Sequence, residues 1–154
     1  MTAYYLDASA LVKYYLQESG SQWMNELLNY SLFDRFFSIE LITVEVMSAL
    51  SRAQREKRIN LNLREKLAAR VWADARTKPE VISVRSPILD RATQLSLNYP
   101  LRAYDAMHLS AALELAMKLT SVRLPAPIFV SADAILLIAA RAEGLVIENP
   151  NERK

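Results

Sequence analysis

Short apolar runs alternate with longer helix-forming runs from one end of this chain to the other. The stretch "AYYLDASALVKYY" shows the pattern, because an aromatic strand ends at Asp7 and a helix follows at once. Such alternation is typical of an α/β domain with a mainly parallel sheet and helices on both faces. The runs predict strands at 4–6, 36–39, 80–84, within 128–133 and at 145–149. They predict helices at 9–16, 21–33, 40–58, 61–77, 86–98, 104–119 and 134–144.

Composition excludes several classes of site. The 154 residues suit a single domain, which we place at 1–150 with a polar tail at 151–154. Only two glycines are present, so no glycine-rich phosphate loop can be written. Without cysteine there is no disulfide, thiolate nucleophile or cysteine zinc site. No basic leader opens the chain, and the longest apolar run, 134–140, is too short for a membrane span. We expect a soluble protein of the cytoplasm.

Positive charge is concentrated in one segment. Residues 52–78 carry a net charge of +6, and the rest of the chain carries −4. Two interpretations remain open, solvated helix faces or a track for a polyanion such as nucleic acid. The basic residues are Arg52, Arg55, Lys57, Arg58, Arg64, Lys66, Arg70, Arg76 and Lys78.

Three aspartates lie where helices are predicted to begin. Asp7 follows "YYL", Asp133 follows "IFVSA", and Asp105 opens "DAMHLSAAL". In a doubly wound sheet, ligands bind beyond the carboxyl ends of the strands, where helix N-termini also gather. Each aspartate alone is well explained as a helix cap. A carboxylate has two oxygens, however, so capping does not exclude metal binding.

Glu45 is the fourth acid of interest, because it is predicted to lie in the middle of a helix. Its neighbours one turn away are Leu41, Ile42 and Ala49, so it shares the apolar face. A buried carboxylate without a partner is costly. Two alternatives stay open: Glu45 faces a site, or the helix is rotated so that Glu45 pairs with a surface arginine or lysine. Glu40 is expected only to complement the helix dipole.

Convergence of these four acids would require a compensating cation. Oxygen ligands without thiols favour the hard ions Mg²⁺ or Mn²⁺. Such an ion activates water and stabilises charge on a phosphoryl group, which suits phosphodiester hydrolysis.

Four motifs in this order resemble the PIN-domain ribonucleases, and specifically the VapC-type toxins of type II (VapBC) toxin–antitoxin systems. Together they span residues 4–148, and the ordered set is far more specific than any single motif. The motifs are "YYLDASALVKYYLQES" with Asp7 and Ser9, "TVEVMSALSR" with Glu45 and Arg52, "YDAMHLSAAL" with Asp105 and His108, and "FVSADAILLIAARAEGL" with Ser131 and Asp133.

The resemblance implies a three-layer α/β/α sandwich and an Mg²⁺- or Mn²⁺-dependent endoribonuclease in a bacterial or archaeal cytoplasm. It also implies a homodimer, a cognate antitoxin that blocks the site, and an RNA substrate that is transfer, ribosomal or messenger RNA. The alternative is a catalytically silent PIN-fold module that binds RNA or a protein.

The acids receive specific roles under this hypothesis. Asp7 and Asp105 are the first choices as metal ligands, and Glu45 and Asp133 follow, directly or through water. Catalysis is assigned to the same four residues. Ser9 and Ser131 are expected to hydrogen-bond the carboxylates or to cap helices, and Arg52 to meet a phosphate or an acid. His108 is expected to pack or hydrogen-bond. No further acid follows Asp133 before Arg141, so we expect one metal ion.

Overall fold

Five parallel strands form the centre of the computed structural model, which describes residues 1–153. Their order across the sheet is β3-β2-β1-β4-β5, and every neighbouring pair is parallel. The parallel sheet predicted from the alternating runs is therefore confirmed. The strands are β1 (Ala3–Leu6), β2 (Arg35–Ile39), β3 (Glu80–Ile82), β4 (Ile128–Val130) and β5 (Val146–Glu148).

Seven helices in the same described residues cover the sheet. They are α1 (Ala8–Tyr15), α2 (Ser21–Tyr30), α3 (Ile42–Arg55), α4 (Leu61–Asp74), α5 (Ser86–Asn98), α6 (Ala103–Ser121) and α7 (Ala134–Ala142). Within residues 1–153, none combines the length and the apolarity that crossing a membrane requires.

Alternate strand residues supply two separate cores. In β1, Tyr5 packs with α5, α6 and α7, whereas Leu6 packs with α1 to α4 on the opposite face. In β4, Phe129 and Val130 divide in the same way. This is the period of two that a strand imposes on its side chains. The result is the three-layer α/β/α sandwich that the sequence predicted.

The strand order places the carboxyl ends of β1 and β4 side by side. The chain proceeds outward from β1 to β2 and β3, and then returns to add β4 on the other side of β1. Leu6 is in register with Val130, so Asp7 and Ser131 follow neighbouring strands at the same level. A reversal of this kind opens a crevice at the carboxyl edge of a parallel sheet.

The start of α3 differs from the prediction. The helix begins at Ile42 and ends at Arg55, so Glu45 lies in its first turn and not in its middle. Glu40 precedes the helix, and its side chain accepts a hydrogen bond of 2.8 Å from the backbone N–H of Val84. This bond joins the end of β2 to the segment after β3, and the backbone N–H of Glu40 also donates to the carbonyl of Ile82 over 3.0 Å.

Helix α2 begins at Ser21, as predicted, but its end differs from the prediction. Gly20 is the residue before the helix, with φ at +82°, and no serine side chain caps it. The hydroxyl of Ser21 instead donates to the carbonyl of Leu16 over 2.7 Å. The helix ends at Tyr30, three residues before the predicted end at position 33.

The chain's last described residues are part of the packed structure. Pro150–Glu152 forms a 3₁₀ turn, and Pro150 is buried against Gly20. Asn151 and Glu152, which were predicted to belong to a polar tail, therefore lie in this docked turn. Lys154 lies outside the described residues.

Gly20→Ala tests this docking. A Cβ at position 20 would lie 2.6 Å from the carbonyl carbon and oxygen of Pro150. At Gly144, where φ is +90°, nothing lies within 4 Å of an added Cβ. Both substitutions carry the left-handed backbone cost of roughly 1–2 kcal/mol. We expect Gly20→Ala to lose a further ~1–3 kcal/mol through overpacking, measured as the free energy of unfolding in urea. Equal losses for the two variants would show that the turn is not docked.

Candidate active site

One cleft at the carboxyl edge of the sheet collects the acids singled out in the sequence. It has a volume of about 650 Å³. The acidic residues in its wall are Asp7, Glu18, Glu45, Asp105 and Asp133, and the basic ones include Arg52, Arg58 and Arg102. Ser9 and His108 also line it. Four elements that are distant in sequence thus bring all four predicted acids to one cavity.

Asp7 is the most deeply held of the acids. It ends β1, caps α1, and is only 3% exposed. The backbone N–H of Ala10 donates to Oδ1 over 2.9 Å, and the hydroxyl of Ser131 donates to Oδ2 over 2.8 Å. The hydroxyl of Ser9 lies within 2.9 Å of both oxygens. Asp7 is therefore a helix cap and a cleft carboxylate at once.

Burial dominates the ionisation of Asp7. It raises the pKa of the carboxyl above the usual value of 3.8, because the charged form loses its hydration. The nearby imidazole of His108 and the hydrogen bonds from Ala10, Ser131 and Ser9 lower this pKa without cancelling the effect of burial. The three donors stabilise the carboxylate, but burial is the larger effect.

The two serines also connect β1 to β4. Ser9 accepts a hydrogen bond from the backbone N–H of Ala132 over 2.8 Å, and Ser131 accepts one from Asp133 over 3.0 Å. Asp133 in turn caps α7 by accepting from the N–H of Leu136 over 2.9 Å. The junctions β1–α1 and β4–α7 are therefore fixed relative to each other through these hydroxyls.

Arg102 lies between the two acids of the cleft mouth. Its Nε is 3.1 Å from Oδ2 of Asp105, and its Nη2 is 3.7 Å from Oδ2 of Asp133. Asp105 is in the first turn of α6, three residues after Arg102. The Arg102 side chain is 83% exposed, so this bridge lies at the surface. Arg102 was not foreseen from the sequence, although its spacing of three residues from Asp105 suits an ion pair at the start of a helix.

Glu45 has a histidine as its partner. Its Oε2 lies 2.7 Å from Nε2 of His108, and Nδ1 of His108 lies 3.1 Å from the hydroxyl of Tyr5. The Glu45 side chain is 16% exposed, whereas His108 and Tyr5 are buried. The alternative of a surface arginine or lysine partner is therefore wrong. The prediction that His108 hydrogen-bonds is confirmed, and Tyr5 was not foreseen.

The donor set fits a hard divalent cation, although the side chains are not arranged around one. Among residues 1–153, no three acidic or histidine side chains lie close enough together to hold a metal ion. Each acid instead has its own partner, and the guanidinium of Arg102 stands as a cation between Asp105 and Asp133. All-oxygen donors and a site already attractive to positive charge suit Mg²⁺ or Mn²⁺.

Basic side chains border the same cleft. Arg52 is exposed, and it makes no ion pair or side-chain hydrogen bond within residues 1–153. Arg58 is 2.9 Å from Glu18, which also pairs with Lys13 at 3.0 Å. Further along the segment, Arg70 lies 3.6 Å from Asp74. Part of the positive charge is thus neutralised locally, and Arg52 remains available to an anion.

Asp7→Asn is expected to melt at a higher temperature than the wild type at pH 7 in the presence of chelator. A raised pKa in the folded state means that stability is full below the unfolded pKa and falls as pH rises through the folded one. Asparagine keeps an oxygen for the N–H of Ala10 but does not ionise. The difference in melting temperature should therefore grow with pH, measured by calorimetry between about pH 3 and 7.

Asp90→Asn is the control, because Asp90 is an exposed aspartate on α5. The difference in melting temperature between Asp90→Asn and the wild type should not grow with pH. A lower melting temperature for Asp7→Asn at every pH, with loss of helical circular dichroism, would mean that Asp7 serves mainly as a cap.

A known protein family and solved structures are similar to this chain. The family model of the PIN domain matches residues 4–142. The fold is similar to the crystal structure of VapBC2 from Rickettsia felis bound to a DNA fragment from their promoter, with a TM-score of 0.61 and 13% identity over 96% of this chain and 98% of that chain. It is also similar to FitAcB from Neisseria gonorrhoeae, with a TM-score of 0.58, 12% identity and the same coverage of 96% and 98%.

No curated protein matches the sequence. At sequence identities of 13% and 12%, these two solved structures support the similarity of fold alone. The family model, by contrast, matches most of the chain. The chain belongs to the PIN domain family.

Proposed function

We propose that this protein is an Mg²⁺- or Mn²⁺-dependent endoribonuclease that acts as the toxin of a toxin–antitoxin pair. The observation that carries the proposal is the single cleft lined by Asp7, Glu45, Asp105 and Asp133, with the unpaired Arg52 at its wall. Membership of the PIN domain family supports hydrolysis of a nucleic acid. The acids supply the ligands for a metal, and the arginine supplies a contact for a phosphate.

A divalent ion, once bound, would polarise the scissile phosphoryl group and lower the pKa of a bound water. Asp7 and Asp105 would hold it, with Ser9 and Ser131 fixing the orientation of the Asp7 carboxylate. Glu45 or Asp133 would orient or deprotonate the attacking water. Arg102 would have to release both Asp105 and Asp133 before these acids become ligands.

An antitoxin partner is the second part of the proposal. The structural neighbours are complexes designated VapBC2 and FitAcB, in keeping with a toxin-type PIN domain. Two exposed apolar side chains, Val44 and Tyr104, stand in the wall of the same cleft. An apolar segment of a partner that covers them would also block access of RNA to the acids. We extend the proposal to a homodimer, for which light scattering of the purified protein is the direct test.

One observation favours the alternative of a catalytically silent module. The described residues hold no preassembled metal site, and Arg102 already pairs with two of the four acids. A silent module would bind RNA through Arg52 and the basic segment without cleaving it. The two functions differ in whether a divalent ion produces RNA fragments.

Incubation of antitoxin-free protein with total RNA tests the nuclease. We expect discrete fragments with Mn²⁺ or Mg²⁺, none with chelator, and none from Asp105→Asn, because the amide is a poor ligand for a hard cation. Asp90→Asn, which changes an exposed aspartate outside the cleft, should cleave as the wild type does. RNA that is bound by wild type and Asp105→Asn alike, and left intact by both in the presence of metal, would establish the silent module.

Arg52→Ala tests the phosphate contact. We expect a higher KM for every RNA substrate. The slope of log affinity against log salt concentration should also become shallower by about 0.7–0.9, the value for one phosphate contact. Arg76→Ala is the matched control, since Arg76 belongs to the same basic segment but does not line the cleft. Identical salt slopes for the two variants would assign RNA binding to the segment as a whole.

A further inference from the structure

A buried chain of polar groups connects the core to the cleft. It starts at Tyr5 in β1, passes through His108 in α6, and ends at Glu45 in the first turn of α3. Tyr5 is fully buried, and its ring stacks on Phe129 at 5.5 Å. Tyr5 and α6 belong to one face of the sheet, and α3 belongs to the other. The chain therefore passes over the carboxyl edge and links the two helical layers at the site.

The direction of each hydrogen bond follows from the chemistry of its ends. An ionised carboxylate only accepts, so the hydrogen between Glu45 and His108 resides on Nε2. With the ring hydrogen on Nε2, Nδ1 is an acceptor, and the hydroxyl of Tyr5 lies 3.1 Å from it. That hydroxyl is then a donor to Nδ1. Tyr5 thereby selects the histidine tautomer that donates to Glu45.

The two oxygens of Glu45 are in different situations. His108 holds Oε2, whereas Oε1 receives no hydrogen bond from any group in residues 1–153. Glutamate has three rotatable side-chain bonds, so without a partner its carboxylate would sample many positions. The other deep acid, Asp7, needs no such device, because its side chain is short and three donors hold it.

We propose that Tyr5 and His108 are positioning residues that fix Glu45 with one oxygen held and the other presented to the cleft. The inference rests on the proposed metal-dependent function and deepens it. Glu45 then offers a metal, or a metal-bound water, a single oxygen in a defined place.

Binding of Mn²⁺ to RNA-free protein, measured by titration calorimetry, tests the proposal without reference to activity. His108→Leu removes both hydrogen bonds and keeps an apolar side chain of similar size. We expect it to weaken Mn²⁺ binding by about 10–100-fold, the usual effect of losing a group that orients a ligand. His108→Gln retains an N–H near the position of Nε2 and should recover most of the affinity. Tyr5→Phe should produce a smaller loss.

A double-mutant cycle separates positioning from general stability. In a Glu45→Gln background, His108→Leu should change Mn²⁺ affinity by less than about 2-fold, because the group to be positioned is already gone. An equal loss in both backgrounds would overturn the proposal. So would wild-type affinity in a folded His108→Leu variant.

The single histidine gives a further readout that needs no core truncation. In protein labelled with ¹⁵N-histidine, every imidazole signal belongs to His108. We expect a slowly exchanging Nε2–H resonance that shifts in Glu45→Gln and on addition of Mg²⁺. Glu40→Gln is the control, because Glu40 bonds to Val84 and not to the ring. Absence of the resonance, or no response to Glu45→Gln, would overturn the proposal even if His108→Leu fails to fold.

The outcomes also distinguish this inference from the proposed function. If the wild-type protein shows the coupling between His108 and Mn²⁺ binding but cleaves no RNA, the proposed nuclease function is wrong and the positioning role stands. If the wild-type protein cleaves RNA and the His108→Leu variant binds Mn²⁺ normally, only the positioning role is wrong. Wild-type protein that binds no Mn²⁺ would remove both.

Discussion

Burial of the Asp7 carboxylate is the constraint on which the rest of the cleft depends. A carboxylate this far from water is tolerated only where donors replace its hydration. Here the donors come from two junctions, the N–H of Ala10 and the hydroxyl of Ser9 after β1, and the hydroxyl of Ser131 after β4. Because Asp7 and Ser131 are separated by more than 120 positions, the carboxylate can be satisfied only in the complete sheet. The site and the fold are therefore formed together.

The strand order explains why these junctions meet. In the sheet, β2 and β3 lie on one side of β1, and β4 lies on the other. This reversal of direction opens the crevice that the carboxylates line. A simple sequential order would have separated β1 from β4 and left Asp7 without the hydroxyl of Ser131. The topology thus does more than provide a scaffold, because it determines which polar groups share the edge.

The sequence predicted the parts of the site that depend on local order. Asp7 and Asp133 were placed correctly because a strand followed by a helix fixes where the junction residue lies. Glu45 was assigned to the middle of α3, because the helical pattern in the sequence extends back to position 40, where the chain instead bonds to the distant segment after β3. Tyr5 and Arg102 were missed for a related reason. In a strand, a tyrosine looks like any core residue, and only the tertiary structure brings its hydroxyl to His108.

The four acids differ in how firmly they are held, and this difference suggests how the cleft accommodates a metal. Asp7 is fixed by three donors in the interior, and Glu45 by one donor at the boundary. Asp105 and Asp133 share the exposed guanidinium of Arg102, and Asp133 also accepts from the N–H of Leu136. Exposed ion pairs contribute at most about 1 kcal/mol, whereas displacing buried donors from a carboxylate costs several times more. An incoming cation would therefore replace Arg102 at the mouth while Asp7 stays in place. Under the proposed metal-dependent function, the deep acid would act as the fixed reference, and the outer acids would adjust to the ion.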